Sequence, residues 1–72
     1  MVTLFFRLTE AGKVEIEISE PQQLDVVLQK GAVQAGIEIG DYLAVRDGNV
    51  IKGDTVVSEG DLVDIFPAIS GG

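Results

Sequence analysis

Seventy-two residues, 46% of them hydrophobic and 24% charged, suffice for one small domain with one core, and exclude a self-contained large enzyme, a disordered chain and a low-complexity filament. Twelve acidic residues against five basic ones give a net charge of −7, a field that repels a phosphate backbone, so nucleic acid is excluded as a natural ligand. Cysteine and histidine are both absent, which removes disulfides, thiolate metal sites and both Cys–His and Ser–His–acid nucleophilic catalysis.

The N-terminal residues show no basic start followed by an apolar block, and no apolar run approaches the ~20 residues that span a bilayer. The expectation is a soluble, cytoplasmic protein without membrane contact. Val2, Leu4, Phe6 and Leu8 alternate with Thr3, Phe5 and Arg7, the two-residue period of a strand whose first set faces the core. A turn is predicted over residues 9–13, hinged at Gly12. Val14, Ile16 and Ile18 then alternate with Glu15 and Glu17, a second strand with one buried and one wet face, completing a hairpin.

Ser19-Glu20-Pro21-Gln22 carries a helix-start signal, with Ser19 as N-cap, Gln22 closing a capping box and Pro21 in the first turn. Leu24, Val27 and Leu28 form its apolar stripe, and Gly31 is the predicted stop, giving a helix of about three turns. Residues 32–41, interrupted by Gly36 and Gly40, read as an irregular connection. A third strand is predicted over residues 42–46, a tight turn at Asp47-Gly48 and a short fourth strand over residues 49–52. Gly53-Asp54 and Glu59-Gly60-Asp61 mark further turns, and a last strand over residues 62–66 is stopped by Pro67. Residues 1–67 are thus predicted to form the folded domain, and Ala68-Ile69-Ser70-Gly71-Gly72 a flexible tail.

The order strand, strand, helix, strand, short strand, strand predicts an α+β fold: a mixed sheet of about four to five strands with one helix packed on one face. With the first and last strands central and parallel, this is the β-grasp, or ubiquitin-like, architecture. Inside the domain nothing reads as catalytic. Glu15 and Glu17 are a solvated strand face, Asp47-Gly48-Asn49 lacks the other ligands of a calcium loop, and Gly36 and Gly40 lack the spacing of a phosphate cradle. No bound metal or cofactor is expected. The chemistry-bearing feature is Gly71-Gly72: a slim arm, free of Cβ atoms, that enters a narrow site and presents a carboxylate ionised at neutral pH.

Asp61-Leu62-Val63-Asp64-Ile65-Phe66-Pro67-Ala68-Ile69-Ser70-Gly71-Gly72 resembles the closing strand and tail of the MoaD/ThiS sulfur-carrier proteins, and Val2-Thr3-Leu4-Phe5-Phe6-Arg7-Leu8 resembles their first strand. The resemblance implies that an ATP-dependent adenylyltransferase of the ubiquitin-activating type adenylates the Gly72 carboxylate. A sulfur donor then displaces AMP, and the Gly72 thiocarboxylate delivers sulfur inside an acceptor synthase. By this resemblance Gly72 is the reactive residue, Gly71 gives the tail its slimness, ATP is used by the partner, and a chain ending on Gly72 needs no trimming. The Phe66-Pro67 step and the Leu4-Phe5-Phe6 start resemble the small subunit of molybdopterin synthase. The short helix, the brief connection before Tyr42, and Ala68 in place of a second proline resemble the thiamin carrier, whose acceptor is a thiazole synthase. Other thiocarboxylate pathways, a ubiquitin-like modifier attached through Gly72 and a non-covalent interaction module are the alternatives.

Strand parity adds a docking surface. If Val63 and Ile65 face the core, Phe5, Leu62 and Phe66 face outward, and Phe5 and Phe66 form an exposed apolar patch beside the tail. Arg7 shares that parity, and Pro67 and Ile69 complete the expected partner-binding set.

Overall fold

A computed structural model describes residues 1–10 and 12–67. Ile69, Gly71 and Gly72, with the expected flexible tail, lie outside the described residues.

Alternation carries the strands. β1 (Val2–Phe6) and β2 (Gly12–Ile16) pair antiparallel, Leu4 opposite Val14. β7 (Leu62–Pro67) lies parallel to β1, Phe6 opposite Ile65, and antiparallel to β4 (Tyr42–Arg46), Pro67 opposite Tyr42. β5 (Asn49–Ile51) closes the far edge, giving the order β2-β1-β7-β4-β5. One helix, α1 (Leu24–Ala35), packs on one face, and β3 (Gln22–Gln23) pairs with β6 (Val56–Val57) in a separate two-stranded ribbon. This five-stranded mixed sheet with its single helix is the β-grasp architecture.

The core lies between sheet and helix. Val2, Leu4, Val63 and Ile65 from the central strands meet Leu24 and Val27 from α1, all fully buried, with Phe6 and Leu28 nearly so. Each such side chain contributes about 1.5–3 kcal/mol of hydrophobic stabilisation. The Asp47-Gly48 turn has both residues in the left-handed region, φ 52° and 79°, which matches the twist of the strands it joins.

Several boundaries differ from the sequence reading. Leu8 does not continue the buried row: β1 ends at Phe6, and Leu8 takes a left-handed φ of 62° in the reversal and is 71% exposed. Ile18 lies past the end of β2 yet packs against the core from an irregular segment.

The helix begins neither at Ser19 nor with a capping box. Residues 22–23 are taken up by β3, and Gln23, the N-cap, makes no side-chain capping bond. Backbone does that work instead, because Leu24 N–H donates to the Thr55 carbonyl at 2.8 Å and Asp25 N–H to the Gly53 carbonyl at 2.9 Å.

Gly31 is not a stop. It is buried within α1 against β1, where a Cβ would come 2.7 Å from Leu4 Cδ1. The helix runs on to Gly36, whose φ of 73° permits its own N–H and that of Ile37 to bond back to Val33 and Ala32 carbonyls. The irregular connection therefore shrinks to residues 36–41. At the sheet, β5 is one residue shorter than read, and Pro67 is still in register with β4.

Candidate functional site

Strand alternation turns one side of every strand away from the helix, and the register decides which outward side chains become neighbours. On β7 the buried Val63 and Ile65 leave Leu62, Asp64 and Phe66 outward; on β1, Phe5 is outward between Leu4 and Phe6. The parallel pairing sets Phe5 beside Asp64, and the antiparallel pairing sets Leu43 of β4 beside Phe66. Phe5, Leu62 and Phe66 therefore share one face, as their parity predicts.

Phe5 and Phe66 are not one continuous apolar patch. Arg7 extends the β1–β7 ladder, its N–H donating to the Ile65 carbonyl at 2.8 Å. Its side chain turns back across the sheet, Nε donating to Asp64 Oδ1 at 2.8 Å and Nη2 lying 2.6 Å from the same oxygen. The guanidinium also lies over the Phe5 ring, 5.0 Å from its centroid. Both rings are half-buried, and the most open apolar surface on this face comes from Val50, Leu62 and Leu43, 65%, 57% and 49% exposed, Val50 standing opposite Val45, which shares the outward parity of Leu43.

Sequence reasoning missed Asp64 and Leu43. The signal was present: Asp64 sits at the outward parity between Val63 and Ile65, and Leu43 precedes the buried Ala44.

The face ends where the chain leaves the sheet. Pro67, half-buried, is the last described residue and stands opposite Tyr42 at the start of β4. Tyr42 belongs to the helix side of the sheet, packed against the core. Burial, and then the nearby Asp25 carboxylate, raise its phenol above the ordinary value of 10.0. Ile69, Gly71 and Gly72 lie beyond Pro67, outside the described residues.

Among the described residues no group of three or more acidic side chains is arranged to hold a metal ion, and no helix is long and apolar enough to cross a membrane.

A central parallel pair, one helix across the sheet and a terminal segment continuing from the middle strand define a ubiquitin-like β-grasp protein. A family model described as the ThiS family matches residues 2–72, and the chain belongs to that family. Its members are small ubiquitin-like sulfur carriers that act with activating enzymes and sulfur-transfer partners. No curated protein is similar enough to the chain to count as a match.

Proposed function

We propose that this chain carries sulfur as a thiocarboxylate on Gly72. The observation that supports the reading most is a family match that runs through Gly71-Gly72 at the end of the segment continuing from the central strand β7. In the proposed cycle a Gly72 carboxylate oxygen attacks the α-phosphorus of ATP on the activating enzyme, forming the acyl adenylate and releasing pyrophosphate. A sulfur nucleophile at the sulfide level then attacks the acyl carbon, the bond to AMP breaks, and the thiocarboxylate remains. After sulfur passes to the acceptor, water restores the carboxylate oxygen. The chain itself holds no cofactor in this cycle; the partner consumes ATP.

The folded domain serves as the handle by which large partners hold the tail. Phe5, Leu62 and Phe66 offer the apolar contacts, Arg7 a polar one, and Pro67 and Ile69 lead into the partner's channel. The net charge of −7 favours a partner with a basic surface.

Two recipients fit. The first, a pterin precursor held by a molybdopterin synthase large subunit, is favoured by the Phe66-Pro67 step and the Leu4-Phe5-Phe6 start. The second, a thiazole synthase, is favoured by the compact helix and the brief connection over residues 36–41. An ATP-dependent oxygen-to-sulfur exchange at Gly72 tests the chemistry. Incubating the loaded chain separately with each synthase then tests the recipient: discharge by the large subunit supports the first reading, and discharge by thiazole synthase alone replaces it.

A further inference from the structure

Apolar surface also remains on the helix side, away from Phe5 and Phe66. A cleft of about 560 Å³ runs between α1 and the connection that follows it, within the size range of ligand-binding clefts. Leu28 and Ala32 of α1 and Ile37 and Ile39 of the connection line it. Val33 stands at its side, 75% exposed.

The rim is acidic. Asp25 and Glu38 line the cleft, both exposed, and none of the ion pairs among the described residues involves either. None of the chain's five basic residues lines it. A phosphate or carboxylate ligand would meet two unneutralised carboxylates and no donor of opposite charge. An aliphatic stem ending in a cation fits both parts, because Lys and Arg lay their methylenes on apolar surface while keeping the charged head against an acid.

The length of the surface distinguishes a peptide from a small cation. Gln29 and Val33 also line a second, largely apolar groove that continues over the outer side of α1 to Val26, itself 41% exposed; Lys30 borders this outer groove, so the acidic character is confined to the first cleft and the outer groove adds apolar contact only. At the other end the cleft reaches Tyr42, the register partner of Pro67.

We infer that this cleft docks a basic amphipathic segment of a partner protein, an apolar side chain resting on Leu28, Ile37 and Ile39 and Lys or Arg side chains meeting Asp25 and Glu38. The surface lies across the fold from the sheet face and makes no use of Gly72, so it stands or falls separately from sulfur carriage.

The test is an amide NMR titration of the full chain with the peptide acetyl-Leu-Arg-Leu-Arg-Leu-amide, beside the same peptide with Glu in place of Arg. Neither ATP nor a sulfur source is added. The Arg peptide should move amides over residues 28–42 and the Glu peptide should not. The double variant Asp25→Asn, Glu38→Gln, whose altered side chains are exposed and whose melting curve checks the fold, should weaken binding about tenfold. Shifts centred on Phe5 and Phe66, an affinity unchanged in the double variant, equal binding of the Glu peptide, or no shifts at ~1 mM peptide would each overturn the inference.

Discussion

Gly31 shows how closely one residue fits the fold. An added Cβ meets Leu4 Cδ1 at 2.7 Å, with Phe6 and Ile16 next at 3.5 and 3.7 Å. Alanine is better than glycine in a helix by about 1 kcal/mol, and overpacking a filled core costs about 1–3 kcal/mol. The second effect wins here because Leu4 is fully buried and has nowhere to swing. Gly31→Ala should therefore lower stability by about 1 kcal/mol, a fall in Tm of roughly 4–8 °C for a domain of this size; a raised Tm would refute the close contact. Tyr42 gives a second readout. With its phenol held above 10.0, the folded state keeps a proton that the unfolded chain loses. That stability is fully present below pH 10.0 and is lost as pH rises through the folded-state value. As the one tyrosine in the chain, it can be followed alone by phenolate absorbance. Asp25→Asn should bring the midpoint down yet leave it above 10.0, because burial, the larger cause, remains.

The elements differ in how openly the sequence declares them. β1 and β7 carry the two-residue period, so their buried sides follow from it, though neither the end of β1 at Phe6 nor that of β7 at Pro67 does; Tyr42-Leu43-Ala44-Val45 is apolar throughout, so the range of β4 is legible and its buried side is not. Ser19-Glu20-Pro21-Gln22 carries a capping signal, but the donors at the start of α1 are met by carbonyls of Gly53 and Thr55, partners that only tertiary structure supplies. The two-residue pairing of β3 with β6 is too short to show a period. Glycine is ambiguous as punctuation: Gly31 permits close approach and Gly36 ends the helix, and local pattern does not separate the two uses. At the candidate site, the outward parity of Phe5, Leu62 and Phe66 is legible. The Arg7–Asp64 pair is not, because it joins residues 57 apart in the chain through a register that no local pattern specifies. The helix end is testable by contrast. Gly36→Ala puts a Cβ on a residue at φ 73° and should cost about 1–2 kcal/mol. Gly40→Ala, outside the left-handed region and with nothing within 4 Å of an added Cβ, should be neutral or stabilising by up to ~1 kcal/mol. Equal Tm values for the two variants would contradict the assigned cap.

At the scale of the whole molecule, β7 lies between β1 and β4 in the middle of the sheet, so the segment after Pro67 continues from the best-anchored strand. Under the proposed function, a chain without cysteine or histidine takes part in sulfur chemistry through its own carboxyl group, with catalytic residues supplied by larger partners. The charge of −7 makes encounter with a basic partner sensitive to ionic strength: raising salt from ~0.01 M to ~0.15 M shortens the Debye length from about 30 to 8 Å. The association rate with the activating enzyme should fall severalfold across that range, and a salt-independent rate would rule out steering. Phe5→Ala and Phe66→Ala should each lower kcat/KM for activation by about tenfold or more, equivalent to 1.4 kcal/mol, at unchanged fold. The most direct measurement is the intact mass of the full chain after incubation with an activating enzyme of the ubiquitin-activating type, ATP and sulfide. A gain matching one oxygen-to-sulfur exchange, localised to Gly72 by fragmentation and absent without ATP or after deletion of Gly72, is the predicted result; an unchanged mass with an enzyme shown to bind the chain and hydrolyse ATP would contradict it.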